Sequence, residues 1–448
     1  MDVQDLAHRI IEVAPDGGGE LEAYVEHRVV TTVQAGTGGA VRHVGRADTR
    51  GVGVRAVSRD HVGYASTADV SDAGIVAVVA KARANAEVAE ADPAGAQLPA
   101  PAGSSPVDGL VLASLTGMPL ASKVSVTTNL ARRATSLNPR VRRIDTAQWR
   151  DEHRRVAVSS SRGTSVVCDS AFAELWCDAL GEDEHGAASD YGYWWGRDPG
   201  DVDVDVLAAE AVRRTLRLLG PLVTASPVES ILFDPAVMGV ILEAIGRALT
   251  GGALGNRRSP FAGRHGELVA SPGLLLFDDG RRNDAPASGP FDDEGVPRRR
   301  TTLIENGVLT GALHSCATAA SVGQGSSTGN ARRVSYKSAP RAAPTTLCLE
   351  SASSRPLEDD AVYVQQVAGS GTGISSVTGR VSVGAIGFLM RDGEPAGRLP
   401  TLPIASTLQA LLQEVSAVGD AAVVVPDHPV MAPTVLWRPR QPLTVGFS

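Results

Sequence analysis

Several short clusters in this chain hold residue types that could do chemistry. Two acidic pairs, Asp278-Asp279 and Asp292-Asp293, would suit a general acid and base or a hard cation. Both sit beside glycine-bearing turns, where capping and turn hydrogen bonds are the default role. Asp151–His153 and Glu182–His185 set carboxylates next to a histidine, but at strand ends such charges are ordinarily solvated. His314-Ser315-Cys316 places an imidazole and a thiol at i and i+2. An extended segment would put both on one face, and only a bend would let them meet as a metal-independent nucleophile. Gly369-Ser370-Gly371-Thr372-Gly373 lacks the Lys-Ser/Thr that completes a phosphate cradle and reads as a tight turn. The four cysteines (Cys168, Cys177, Cys316, Cys348) show no C-x-x-C spacing. A cysteine-built zinc or Fe–S site is therefore disfavoured, and free thiols in a reducing cytoplasm are expected.

The most definite local signature is Asp234–Gly252. Asp234 can cap a helix, Pro235 fits its first position and Gly251 marks a stop, giving a helix over 234–250. Val237, Ile241, Ala244, Ile245 and Ala248 form an apolar stripe at helical spacing. On its own this is a helix buried in a domain core. Glu243 and Arg247 lie four apart, the spacing of an ion pair on one helix face.

The surrounding elements suggest two domains, residues 1–225 and 226–448. The first is expected to be mixed α/β. Helical spacing covers Val3–Val13, Ser71 or Asp72 to Val88, Lys123–Ser136 and Val204–Leu219. Strand-like segments cover Leu21–Gln34, Arg50–Ser58, His61–Ala65, Val141–Arg150, His153–Ser159, Thr164–Asp169 and Ala171–Ala179. Pro93, Pro99, Pro101 and Pro106 mark residues 91–106 as a linker, and Gly220–Pro227 reads as a hinge. Beyond Ser230 short β-like runs dominate, with Glu305-Asn306-Gly307 joining Thr301–Ile304 to Val308–Leu313 as a hairpin.

Composition narrows the function. The 448 residues carry 42 Lys+Arg against 50 Asp+Glu, a net charge of −8 that disfavours a nucleic-acid partner. No apolar run approaches the ~18–20 residues of a membrane span, and Asp2, Asp5 and Glu12 give the first residues no signal-peptide character. Neither a membrane nor secretion is expected.

Longer motifs carry a resemblance. Leu242-Glu243-Ala244-Ile245-Gly246-Arg247 resembles the His-Glu-x-x-x-His metal helix of the TldD/PmbA (TldD/TldE) peptidase family with both histidines replaced. Phe291–Pro297 followed by Arg299–Leu309, then Ser327–Arg333, Gly379–Phe388, Val418-Gly419-Asp420 and Ala432–Leu436 resemble further blocks of that family in order. The N-terminal pattern Ala23–Ser66 is also similar, so the likeness covers almost the whole chain. It implies an α+β, two-domain protomer, with a mixed α/β N-terminal domain and a β-rich C-terminal domain carrying the degenerate metal helix.

The departures bear on function. In the catalytic TldD-type subunit, two histidines of that helix and a cysteine near the C-terminus hold the metal. Here Leu242 and Arg247 stand at the histidine positions, and no cysteine follows Cys348. Leucine has no lone pair to give, and arginine stays protonated. Glu243 remains as a base with no metal-bound water beside it. The resemblance thus implies the TldE (PmbA) branch: a chain without cofactor, paired with a zinc-bearing TldD-type subunit as a heterodimer or dimer of heterodimers. Its substrate would be an unstructured peptide or an N-acylated small metabolite. Arg247, Asn330, Arg332 and Arg333 are the candidate contacts to partner or substrate. Two alternatives stand beside this: a self-sufficient hydrolase using Cys316 near His314, and a scaffold or binding protein without an enzymatic partner.

Overall fold

The computed structural model describes residues 2–13, 19–224, 228–352, 357 and 360–441. The first half builds one large antiparallel sheet, with alternation of buried and part-exposed residues clearest on its fifth strand. Its strands are β1 (Glu20–Ala35), β2 (Val41–Ser58), β3 (His61–Thr67), β4 (Val141–Ser160), β5 (Ser165–Asp183) and β6 (Gly186–Gly196), in the order β3-β2-β1-β4-β5-β6. On β5 the odd residues Ala171, Ala173, Leu175, Cys177 and Ala179 are buried under helices, while the even residues face the other way. Helices α1 (Val3–Glu12), α2 (Asp72–Val88), the single-turn α3 (Ala113–Thr116), α4 (Leu120–Leu137) and α5 (Val204–Arg217) supply that cover. Leu6, Ile10, Ile75, Val78, Val79 and Ala82 close over β1 and β2, and Leu130, Ala131, Ala134, Ala208 and Ala211 over β4 and β5. The strands keep their second face for the C-terminal half.

That half is a mixed sheet with helices against it. Its elements are β7 (Ile231–Phe233), α6 (Pro235–Ala248), α7 (Gly251–Gly255), β8 (Leu274–Asp279), β9 (Arg300–Glu305), β10 (Val308–Leu309), α8 (Cys316–Ser321), β11 (Ala331–Arg332), β12 (Arg341–Ala342), β13 (Leu347–Ser351), β14 (Ala361–Ala368), α9 (Ser370–Gly373), β15 (Arg380–Arg391), β16 (Glu394–Arg398), β17 (Leu402–Thr407), α10 (Leu408–Gln413), β18 (Val415–Val424) and β19 (Val430–Trp437). Strand order is β10-β9-β8-β13-β19-β7-β14-β15-β16, with β17 on β15 and β18 on β19; β13–β19 and β7–β14 run parallel. The fold is mixed α and β throughout, as the resemblance implied.

Several boundaries differ from the sequence reading. The two segments expected on each side of residue 151 form one strand, β4, and those on each side of residue 170 form β5. β6 was missed, and Glu182–His185 lies at the β5–β6 turn. Leu249, not Gly251, closes α6, because Thr250 caps α7 and Gly251 begins it. Gly369–Gly373 contains the one-turn helix α9. Residues 91–106 lie against the body: Ala96 and Leu98 are buried, and Arg281 donates to the carbonyls of Ser105 and Pro106. The expected β9–β10 hairpin is present, with Asn306 and Gly307 both at positive φ (50° and 80°) as a two-residue turn requires. Part of the expected hinge, residues 225–227, lies outside the described residues.

Candidate functional site: an interdomain cavity beside helix α6

The second face of the six-stranded sheet meets the C-terminal half across a cavity of about 680 Å³. Its floor is the even-numbered side of β5, from Cys168 through Ser170, Phe172, Glu174 and Trp176 to Asp178. Eleven residues of strand, ten steps of ~3.3 Å, make this floor up to ~33 Å long. Beside it, β4 and β1 present a ladder of charges. Arg28 donates to Glu152 at 2.6 Å, Arg150 bridges Glu152 (2.5 Å) and Glu174 (2.8 Å), and Tyr193 on β6 donates to Glu174 at 2.8 Å. Burial works against the charge of Glu152, but Arg28 and then Arg150 outweigh it and hold its pKa below the usual carboxylate range. The C-terminal half supplies the opposite wall through Pro286–Gly289, Asp293, Arg298, Arg332–Val334 and the Pro426-Asp427 turn.

A buried ion network bolts the two halves together next to this cavity. Arg55 on β2 donates to Glu22 on β1 at 2.5 Å and to Glu294 of the C-terminal half at 2.9 Å. Arg333 donates to the other oxygen of Glu22, and its backbone N–H reaches Asp293 at 2.7 Å. Glu22, Arg55, Glu294 and Arg333 are each at most 5% exposed. Phe291 packs on Tyr24, Val156 and Val158 beside them. The acidic pairs serve this architecture. Asp292 accepts from the N–H groups of Glu294, Val296 and Ala331; burial and then Glu294 push its pKa up against those three donors. Asp278 accepts from the N–H groups of Thr345 and Thr346, the Thr345 hydroxyl and the Asn330 amide. Both act as turn and loop anchors.

Helix α6 abuts the cavity wall from behind. Leu242 is fully buried in the C-terminal core, while the Arg247 side chain is 65% exposed, as positions ~140° apart on a helix must be. Glu243 pairs with Arg247 as the spacing predicted, and its other oxygen lies 2.5 Å from Nδ1 of His428. Burial opposes its charge, but His428 and then Arg247 hold its pKa below the usual carboxylate range. His428 follows Asp427, so the turn that lines the cavity also carries the partner of Glu243. Gly246 is where β13 and the loop before it approach most closely: a Cβ there would stand 2.8 Å from Pro344 Cγ. Pro344 in turn offers its carbonyl to Arg332 in the cavity wall, at 2.9 Å.

A zinc ion does not fit this helix. Leu242 is a buried, apolar side chain, Arg247 is an outward cation, and Glu243 between them is already paired with that cation and an imidazole. Among the described residues no group of three or more His, Cys, Asp or Glu could hold a metal ion.

The other expected site residues are placed as follows. Arg332 and Arg333 line the cavity, though Arg333 is committed to Glu22. Asn330 does not face partner or substrate: it is 1% exposed, with its amide on Asp278 and its oxygen accepting from Thr328. Its expected contact role is corrected to a structural one. Arg247 is free toward solvent except for Glu243. Cys316 opens α8 behind its cap Ser315, and burial followed by Glu294 pushes its thiol pKa well up. Burial pushes the pKa of His314 down, and among the described residues its Nδ1 has no hydrogen-bond partner. Neither group activates the other. The sequence reading missed the cavity, the charge ladder and His428; the run Phe172-x-Glu174-x-Trp176-x-Asp178 was the available signal, a strand with a non-apolar second face.

Asp178 titrates in a useful range. Burial, then Asp145 and Asp190, push its pKa to about 6. A raised folded-state pKa contributes stability that is complete below the ordinary carboxylate range and is lost as pH rises through 6. Asp178→Asn is therefore expected to be the more stable form at pH 8, with the gap closing as pH falls below 5. Urea midpoints across that range measure this, and a pH-independent difference would contradict it.

Two halves, each built on its own large sheet and joined by a buried ion clamp, define a mixed α and β protein with a cavity between its halves. Three family models match in chain order: PmbA/TldA metallopeptidase domain 1 over residues 21–86, the central domain over 114–219 and the C-terminal domain over 228–439. The chain belongs to the PmbA/TldD family. It is 28% identical over 305 residues to the Metalloprotease TldD homolog of Haemophilus influenzae, covering 65% of this chain and 62% of that protein. To Metalloprotease PmbA of Escherichia coli O157:H7 it is 26% identical over 242 residues, 54% and 52% of the two chains. The matches thus span less than two thirds of these relatives' length. The fold is that of TldE from Thermococcus kodakarensis (TM-score 0.85, 21% identity, 97% of each chain) and of a Thermotoga maritima protein (TM-score 0.86, 21% identity, 98% and 99%).

Proposed function

We propose that this chain is the metal-free, TldE-like subunit of a two-component zinc-dependent amide hydrolase in the cytoplasm. A TldD-type partner carries the intact His-Glu-x-x-x-His helix, and this chain shapes the cavity through which the substrate reaches it. The observation that carries the reading is helix α6, where Leu242 is packed into the core and Arg247 points to solvent. Neither side chain can give a lone pair to zinc. The long floor of the interdomain cavity supports an extended substrate, either an unstructured peptide or an N-acylated small molecule. Exposed Arg247, with its charge only half compensated, is the candidate contact to the partner.

The test is metal content and amide hydrolysis for the chain alone and co-expressed with a TldD-type protein, using an unstructured peptide and an N-acylated small molecule. Zinc and turnover are expected only in the co-purified complex. Zinc at one per chain with turnover by the chain alone overturns the proposal.

A further inference from the structure

Six arginines line the interdomain cavity: Arg28, Arg150, Arg154, Arg298, Arg332 and Arg333. Four meet carboxylates, on Glu152, Glu174, Glu26, Asp293 and Glu22. Arg298 and Arg332 form no ion pair among the described residues. Arg298 is only 8% exposed, donates to the Ala287 carbonyl, and keeps a buried Nε with no hydrogen-bond partner. Arg332 is partly buried and spends one Nη on Pro344. A buried guanidinium without a direct ion pair costs stability and is unusual without a ligand. Both side chains pass the Pro344-Thr345 segment: a Cβ built on Gly280 would stand 2.9 Å from Arg298 Cδ and from Thr345 Oγ1, and Arg332 donates to the carbonyl of Pro344. Burial and then the charge of Arg298 push the pKa of Arg332 down.

Their place in the cavity is specific. Arg298 donates through its side chain to the Ala287 carbonyl and through its N–H to the Pro290 carbonyl (3.1 Å). Within that segment Gly289 lies against Cys168 at the first end of the β5 floor, where a Cβ built on Gly289 would stand 3.7 Å from its Sγ. Asp178 closes the other end, and Asp427 acts on Tyr193 from the turn that lines the same cavity. Neither Asp178 nor Asp427 forms an ion pair among the described residues. The cavity is therefore positive at one end and negative toward the other, with a neutralised ladder between.

We propose that Arg298 and Arg332 form an anion subsite at the Cys168 end of the cavity, which receives a carboxylate of an extended substrate. Planar guanidinium forks match a carboxylate, and two of them fix its position. Asp293 acts on Arg332 as well, so a doubly charged phosphate is penalised more than a singly charged carboxylate. A peptide so bound runs along β5 with its acidic end at Arg298 and any cationic end toward Asp178. This deepens the proposed function and rests on its reading of the cavity as the substrate path.

The experiment is calorimetric titration of the full-length chain, alone and in the co-purified complex. The probes are a Gly/Ser/Ala peptide of about eight residues, which spans most of the floor, its C-terminal amide twin, and inorganic phosphate. The free acid is expected to bind on the order of tenfold tighter than the amide, the size of a charge-assisted hydrogen bond. Arg298→Gln and Arg332→Gln should each erase that preference, while Lys81→Gln on the exposed face of α2 keeps it. If Arg298→Gln does not fold, the partly exposed Arg332→Gln decides. Equal binding of acid and amide, no binding of either in chain or complex, or a preference surviving in folded Arg332→Gln overturns the proposal. Phosphate competing as well as the acid peptide overturns the assignment to a carboxylate. The acid-over-amide preference is read from binding, so it can stand even where co-expression yields no hydrolysis.

Discussion

Replacing Arg55 by methionine is expected to lower the unfolding free energy by about 3–5 kcal/mol, the usual cost of removing one partner from a buried ion pair. Methionine fills much of the same space, so the loss comes from charge. Glu22 and Glu294, each 1% exposed, would face each other without the guanidinium that separates them. Burial alone would depress the pKa of Arg55, yet Glu22 and Glu294 raise it, which shows how strongly the site is built around that charge. Arg333 retains its hold on one oxygen of Glu22, so the network does not collapse entirely. Arg55→Lys should lose less, since an ammonium keeps the charge but cannot span both carboxylates in the same geometry. Guanidinium unfolding followed by tryptophan fluorescence reads this well, because Trp149, Trp176, Trp194 and Trp195 all lie in the six-stranded sheet. A loss below about 1 kcal/mol, typical of exposed pairs, would show that the network is solvated and does not clamp the halves.

Placing histidines at positions 242 and 247 of helix α6 should cost stability and bind no zinc. Leu242→His removes a fully buried leucine and puts an imidazole into an apolar core, a loss of about 2–4 kcal/mol. Arg247→His is at the surface and should cost little by itself. In the double variant the two rings project ~140° apart on a regular helix. Glu243 remains bonded to His428, and no cysteine lies beyond Cys348 to complete a ligand set. Metal analysis of the purified double variant is expected to find well under one zinc per chain. Stoichiometric zinc would mean that the helix can unwind at Gly246, and that close packing of Gly246 on Pro344 is not what holds it regular.

The first sheet was legible where neighbouring residues alternate. Ala171 to Ala179 announces a strand with one apolar face, and Asn306-Gly307 announces a hairpin by backbone conformation alone. β6 was hidden because Gly186-Ala-Ala-Ser-Asp-Tyr-Gly-Tyr-Trp-Trp-Gly196 mixes three glycines with aromatics on both faces, so neither period nor propensity stands out. The metal helix was recognisable because its residues are consecutive, and its Glu243–Arg247 pair follows from helical spacing. The cavity was not recognisable, since its parts come from β1, β4, β5, β6 and four separate C-terminal segments. Glu22 and Arg333 are 311 positions apart, and Glu243 and His428 are 185 apart. Only the packing of the two halves and of α6 against the β18–β19 turn brings such residues together. Asn330 shows the reverse error: a polar residue in a recognisable block was read as a contact, but its amide is consumed by Asp278.

Domain 1 and the central domain are separate stretches of family sequence, yet β1 of the first and β4 of the second pair over fourteen residues, from Glu22–Ser160 to Ala35–Ala147. The units by which this chain can be shuffled in evolution are thus not the units by which it can fold. A fragment ending near residue 100 would leave the whole of β1 as a bare edge, a template for other chains. Strain from a substrate pulling on β5 would pass through a continuous ladder to β2 and the Arg55 clamp, and the first three strands would move with the floor as one plate.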